Sequence, residues 1–411
     1  MSSESKVNVN QDAIRDVTQL GVPKMVTLSV QHAFTMFGAT VLVPIITGLN
    51  ISVALFMAGI GTLLFHLITR GRVPAFLGSS FAFIAPMLAV TEMTGDIAYA
   101  QGGIVVAGLV YLILAGLIYM FGAEKVVKFF PPVVTGPIIM VIGLKLAPVA
   151  IDMASGNWGL ALTSFVIITA VSVYAKGFLK VIPVIIGLIG GYVVAVVFGQ
   201  VDFTPIKEAS WIGLPQFTMA KFSADAVFTV APLALATMVE HIGDVLAIGS
   251  TVEKDFMEDP GLHRTLIGDG VATALSAMFG GPANTTYSEN TGVLALTRAW
   301  DPKIMQGAAV FAIVLGLVPK LAAIISTIPV PIIGGISIIL FGMIASIGGR
   351  TLVEHGVDFT KSRNLIIAAV IFVLGLGGAA LPLNLGPVAI TIEGMALAAI
   401  VGIALNKILP E

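Results

Sequence analysis

Cysteine is absent from the chain, which excludes disulfides, thiolate nucleophiles and thiolate metal sites. Charge is scarce as well: Asp, Glu, Lys and Arg make up 11% of the 411 residues, against about 25% in soluble domains. The net charge is −2 and no basic tract occurs, so nothing marks a nucleic-acid partner. No nucleophile–base pair, metal-ligand cluster or nucleotide motif is visible, which argues against an enzyme and leaves no metal or cofactor to expect. The first 24 residues carry Glu4, Lys6, Asp12, Arg15 and Asp16 and lack the apolar core and cleavage site of a secretory signal. They read as a retained cytoplasmic tail with a short interfacial helix near 11–20.

What remains is built for lipid. Hydrophobic residues reach 57% and the mean hydropathy is +1.02, the profile of a polytopic membrane protein. Many of the 45 Gly and 21 Pro fall inside apolar runs, so the helices must pack closely and break in places. Apolar runs fall near 26–47, 51–69, 80–91, 102–122, 133–150, 158–175, 181–199, 225–248, 264–280, 286–297, 305–327, 331–347, 364–381 and 386–406. The third and tenth are too short to cross as simple helices, which need about 20 residues. They should be half-spans with extended backbone buried in protein, where irregular backbone is tolerated at depth.

Two patterns support this count. With fourteen crossings and a cytoplasmic N-terminus, 17 of the 21 Lys and Arg fall inside. Outside are Lys207, Lys221 and, towards the outer end of segment 11, Lys320, while Lys145 lies within a segment. The halves also repeat. Gln31-His32 precedes Glu240-His241 by 209 positions and Ser80 precedes Glu289 by the same offset; Pro132, Gly136 and Gly143 match Pro331, Gly335 and Gly342 at 199. Seven segments per half is an odd number, so the second half enters from the opposite side. The expectation is an all-α polytopic membrane protein of 14 segments as a 7+7 inverted repeat, with segments 3 and 10 as half-spans. In such folds the substrate and coupling-ion sites lie near the midplane, where the broken helices meet.

Ionisable groups at that depth are expensive and mark function by default. In segment 8, Glu240 and Asp244 are i, i+4 on one helical face and His241 lies about 100° away. Two carboxylates that close at low dielectric do not both ionise, so the pair suits a proton site; for Asp244 a solvated helix end explains the residue equally well. Glu289 sits in the run Asn284–Asn290, after Tyr287 and Ser288. Extended backbone there offers free amides to ligand carbonyls, while the Glu289 carboxylate accepts from ligand N–H groups. The repeat mate around Phe81 offers similar donors and an aromatic face, although ordinary packing also accounts for Phe81. The combination suits a small planar heterocycle with alternating N–H and C=O groups. Gln31 and His32 are either a helix-contact pair or part of the site, as support alongside His241 and Asn290. His66, His263 and His355, near loops, read as surface groups. Asp269 lies early in segment 9 and faces the interior, and Glu393 lies within segment 14.

The run ENTGVLALTR, Glu289 to Arg298, resembles the signature of the nucleobase-ascorbate transporter family, with Gln31-His32, SSFAF at 79–83 and EDPGLHR at 258–264 in support. The resemblance runs through essentially the whole chain. Glu at the first signature position, NTTYSEN and the Glu240-His241 pair are similar to the bacterial uracil permeases within that family. The resemblance implies a core of 25–122 (segments 1–4) and 206–327 (segments 8–11), after the tail 1–24. It implies a gate of 123–205 (segments 5–7) and 328–411 (segments 12–14), often in a homodimer whose core moves against the gate. It implies that Glu240 and Glu289 bind uracil through side chains, aided by backbone near Phe81 and Ser288, with Tyr287 and Phe341 in the pocket. Departures are Asp244 where the prototype has His, Ser288 for Gly, and Phe341 for a pocket Tyr. The expected function is uracil import with a proton carried by Glu240 and Asp244, in the plasma (inner) membrane with both termini cytoplasmic. Alternatives are a purine or xanthine symporter of the same family and an anion exchanger or channel of the same fold.

Overall fold

The computed structural model describes residues 13–385 and 388–410, except for the side chains of Ser288, 383–385, 388–391 and Glu393. Residues 1–12 of the tail expected over 1–24 lie outside the described residues, as does the side-chain environment of Ser288 and Glu393. From the N-terminus the chain runs α1 (Val22–Thr47), α2 (Ile51–Ile68), β1 (Leu77–Ser79), α3 (Ile84–Thr94), α4 (Ile97–Phe121), α5 (Pro132–Lys145), α6 (Trp158–Tyr174) and α7 (Pro183–Val197). It continues through α8 (Ala234–Val252), α9 (Leu262–Met278), β2 (Asn284–Thr286), α10 (Ser288–Thr297), α11 (Pro302–Gly316), α12 (Val330–Glu354), α13 (Ser362–Leu376), β3 (Ala380–Leu385), β4 (Val388–Glu393) and α14 (Gly394–Ile408), with shorter helical turns between them.

Local chemistry sets the boundaries. Asn50, Asp96, Asn157 and Asp301 accept from the first-turn amides of α2, α4, α6 and α11, taking up donors that a helix start leaves free. Proline opens α5, α7, α11 and α12, where its missing N–H costs nothing. Among the described residues six helices are long and apolar enough to cross a membrane: α1, α2, α4, α5 continued to Ser155, α8 with its lead-in from Ala224, and α12. A seventh span would join α11 to Pro319–Ser326 across a 78° bend.

The packing is reciprocal between the halves. α4 lies along α9 and α2 along α11; α6 lies along α12 and α5 along α13; α6 packs on α7 and α13 on α14. Exchanging each element for the one seven places on converts one contact of each pair into the other. Small residues permit the close approaches. A Cβ on Gly335 of α12 would stand 2.0 Å from the Ala161 carbonyl of α6, and one on Gly143 of α5 would stand 2.3 Å from the Phe341 carbonyl.

β1 and β2 pair antiparallel, Leu77 with Thr286, Gly78 with Thr285 and Ser79 with Asn284, all buried. A two-stranded ribbon at depth leaves outer-edge groups unpaired, and these need partners in protein. Two threonines supply them symmetrically. Thr62 of α2 accepts from Leu77 N (2.9 Å) and donates to Leu77 O (3.2 Å); Thr273 of α9 accepts from Asn284 N (3.2 Å) and donates to Asn284 O (2.9 Å). Thr273→Val keeps the shape and removes both bonds, orphaning two buried backbone groups at about 1–3 kcal/mol each. The expected result is a clear fall in thermal midpoint, read by unfolding in detergent; an unchanged midpoint would contradict this bracing role.

Two expectations need correction. Extended backbone is not confined to segments 3 and 10: β3 and β4 form a second antiparallel pair, Ala380 with Glu393 through Leu385 with Val388. Of the apolar run expected to span from 386, Val388–Glu393 is strand and Gly394–Ile408 is helical. The physical reason is local, since Val388, Ile390, Thr391 and Ile392 are β-branched and Pro382 cannot donate within a helix. His66, expected at the surface, is buried at the end of α2 and its Nε2 meets the Ala75 carbonyl at 3.0 Å, because the loop back to β1 folds over it. His355 is exposed and His263 half-buried.

Residues 13–20 lie against the bundle. Ile14 bridges to Ala299, Val17 N donates to Asp301 (2.8 Å), and Arg15 pairs with Glu253 (3.2 Å) and lies 5.0 Å from the Trp300 ring. The interfacial helix expected near 11–20 is, over its described part, a single turn at Val17–Leu20.

Candidate functional site

Each strand of the central pair leads directly into a short helix. β1 passes through Ser80 and the turn Phe81–Phe83 into α3, and β2 passes through Tyr287 into α10. Both helices therefore start from one ribbon, and their N-terminal ends, with free amides and partial positive charge, lie at its two exits. Ser80 N donates to the Ala283 carbonyl (2.9 Å) and Tyr287 N to the Phe76 carbonyl (3.0 Å), which fixes where each helix begins.

Glu289 occupies the first turn of α10, where the helix dipole favours an anion. Its side chain is exposed, while Asn290 beside it is buried. It lines a gap of about 60 Å³ with Phe34 and Thr35 of α1, Ile168 and Ser172 of α6, 181–185 at the start of α7, and Leu340 and Met343 of α12. This space holds a few water molecules at most, well short of the roughly 300 Å³ of a small-molecule pocket. Asn290 sets the position of α10: its amide donates to His32 Nδ1 (3.1 Å) and to the His32 carbonyl (3.3 Å) of α1. His32 and Asn290 are both buried, and Gln31 is half-buried one residue earlier.

α8 packs on α10 and carries the second carboxylate. His241, fully buried, shares a 3.0 Å hydrogen bond with the Thr286 hydroxyl of β2, and its Nδ1 stands 3.3 Å from Asp269 Oδ2 of α9. Glu240, one residue earlier and about 100° round the helix from His241, is half-buried. Among the described residues one oxygen of Glu240 has no hydrogen-bond partner. Asp244 follows one turn later, also half-buried, and is engaged by a neighbouring group. Asp269 is wholly buried, as expected for an interior acid.

Phe81 is half-buried, its ring centroid 6.0 Å from that of Phe341 at 74°, an edge-to-face contact joining the α3 turn to α12. Phe341 is itself buried. Tyr287 is buried between α1 and the strand pair. Its hydroxyl donates to the Ser79 carbonyl (3.0 Å) and accepts from Thr40 (3.3 Å), and its ring lies where a Cβ on Gly78 would stand, 2.5 Å from two ring carbons. It locks the strand pair to α1. Thr286 belongs to the polar run already singled out, whereas Thr62 and Thr273, which complete the frame, escaped the sequence reading; the offset of 211 between them, close to the 209 of the neighbouring pairs, was the available signal.

Half-helices springing from a buried strand pair, with acids at their junction and a mostly helical bundle around them, define a membrane transporter. The transmembrane domain of a cyanobacterial bicarbonate transporter, BicA, superposes over 96% of this chain and 99% of its own (TM-score 0.66, 14% identity), and SLC26A9 over 95% and 65% (0.68, 11%). At that identity the likeness concerns the fold. Residues 23–384 match the permease family, and the chain belongs to it: it is a member of the nucleobase-ascorbate transporter family, a multi-pass permease and not an enzyme. Among curated relatives it is 47% identical to the uracil permease of Bacillus caldolyticus over 95% of this chain and 93% of that one. It is 44% identical to the uracil permease of Bacillus subtilis (100% and 97%) and 42% to that of Escherichia coli strain K12 (93% and 90%).

Proposed function

We propose that this permease imports uracil together with a proton across the plasma membrane, with both termini cytoplasmic. The observation that carries the reading is the placement of two acids, Glu240 on α8 and Glu289 at the head of α10, beside the free amides of the half-helices. This set complements the alternating N–H and C=O edge of a pyrimidine. Glu289 accepts from the ring N–H groups, backbone amides near Phe81 and Ser288 donate to its carbonyls, and Phe81 with Phe341 covers the ring. Tyr287, Asn290, Gln31, His32 and His241 hold these groups in place. Uracil permeases at 42–47% identity over nearly the whole chain support the choice of base. An anion carrier would need a cation at the facing half-helices, and this chain places glutamates there.

Uracil is neutral, so the driving charge is the proton. Glu240, with Asp244 one turn away, takes it up; the loaded core is neutralised and can shift, whereas an ionised empty core resists passage through low dielectric. The core comprises 25–122 and 206–327 and the gate 123–205 and 328–411, in fourteen segments arranged as a 7+7 inverted repeat, with a homodimer as the assembly. The reciprocal contacts between elements seven apart support the repeat, and the narrow gap at Glu289, lined by α1 and α10 on one side and α6, α7 and α12 on the other, supports core against gate as the moving pair.

Uptake of radiolabelled uracil into proteoliposomes under an inward proton gradient tests this reading. Concentrative uptake that a protonophore abolishes and excess xanthine leaves intact is expected. Uptake that xanthine displaces would identify a purine carrier, and anion flux without uracil uptake would identify an exchanger; either would overturn the proposal.

A further inference from the structure

Away from the transport site, a groove of about 540 Å³ lies between the ends of α2 and α4 and the start of α9. Its volume is within the range of about 300–1,000 Å³ typical of small-molecule sites. Leu112, Ala115 and Gly116 of α4 and Ile267 of α9 form an apolar floor, and His263 and Arg264 stand at one end. The surrounding face of α4 is exposed and apolar at Ile113, Leu117 and Met120, as expected of a surface in contact with lipid chains.

The charge at that end is unbalanced. α9 begins with no side-chain cap and no acid in its first turn, and carries His263 and Arg264 there instead. Cations at a helix N-terminus oppose the dipole, so this turn favours an added anion. Arg264 is half-buried; one of its nitrogens donates to the Ile68 carbonyl (3.3 Å), and among the described residues no carboxylate pairs with it. Of the two acids just upstream, Asp259 is paired with Arg72 and Glu258 points to solvent. Tyr119, whose ring lies 5.4 Å from that of His263, is largely exposed at the end of α4, the position of an interfacial aromatic.

We infer that this groove is a binding site for an anionic phospholipid, with an acyl chain along Leu112, Ala115, Gly116 and Ile267 and the phosphate held by Arg264 and His263 at the head of α9. Basic pockets between membrane helices recognise anionic headgroups in this way. The site is independent of the cargo and of the proton mechanism, and requires only that the chain sits in a bilayer.

The test is native mass spectrometry of the full chain after exchange into nanodiscs of phosphatidylcholine containing phosphatidylglycerol, comparing wild type with Arg264→Gln and Gly116→Trp. A Cβ at Gly116 meets nothing within 4 Å, so the tryptophan can fill the groove from outside without disturbing the fold. Preferential retention of phosphatidylglycerol by the wild type is expected. It should fall roughly fivefold in Arg264→Gln, the effect of one arginine near an anionic lipid surface, and be lost in Gly116→Trp. Equal retention by all three proteins, or retention of the two lipids without preference, would overturn the inference. Inorganic phosphate that raises the thermal midpoint of the lipid-free protein as much as phosphatidylglycerol does would also overturn it, since a free anion would then be the ligand.

Discussion

Glu240→Gln is expected to abolish accumulation of uracil while leaving exchange intact. Glutamine keeps the shape of the side chain and is permanently neutral, so the core can cross loaded or empty and the proton no longer accompanies the base. Each proton moving inward contributes about 2.3 kcal/mol per 100 mV, equivalent to roughly 50-fold accumulation. In proteoliposomes held at that potential the variant should bring internal uracil only to the external concentration, and the protonophore-sensitive component should vanish. Counterflow of labelled against unlabelled uracil should persist. Undiminished concentration by the variant would remove Glu240 from the proton path, and Asp244 would then be the acid to examine.

Glu289→Gln is expected to fail earlier, at binding. Glu289 is exposed to the narrow gap between α10 and α12, at the head of a helix whose dipole stabilises its charge. Replacing one acceptor oxygen by an N–H donor sets donor against donor on the ring edge and removes a charge-assisted hydrogen bond. Such bonds contribute about 1.5–3 kcal/mol, so affinity should fall about 10- to 150-fold. Titration calorimetry in detergent reads the constant directly, with the thermal midpoint as the control for folding. The two variants should therefore separate: Glu240→Gln exchanges without accumulating, and Glu289→Gln does neither at ordinary substrate concentrations. Wild-type affinity in Glu289→Gln would place the cargo elsewhere.

The candidate site was legible where polarity was out of place. Glu240, His241, Glu289 and Phe81 stand out because acids and polar runs have few reasons to occur in apolar sequence, and the two half-spans announced themselves by length: expected at 80–91 and 286–297, they are helical at 81–94 and 288–297 behind a strand each. What stayed hidden depends on tertiary contact. Threonine is unremarkable in a membrane helix, so Thr62 and Thr273 gave no warning that they close the strand edges. His241 and Asp269, distant in sequence, meet only because α8 and α9 lie side by side on β2. For Tyr287, which the resemblance puts in the pocket, the sequence did not show that its hydroxyl bonds Ser79 and Thr40 and that its ring fills the space over Gly78. His66 looked like a loop residue because a chain that folds back over a helix end leaves no periodic trace. At 380–393 the hydrophobic run concealed the difference between helix and strand; β-branching and Pro382 were the better guide.

On the proposed mechanism one proton enters with each uracil through Glu240. The most direct measurement of this is the lumenal pH of proteoliposomes carrying a trapped pH-sensitive dye, followed after a pulse of uracil with the membrane potential clamped. Prompt acidification in the wild type, matched in time to uptake of the base and absent in Glu240→Gln, is the predicted result. Uracil entry with no change in lumenal pH, or entry that needs a sodium gradient instead, would contradict the account.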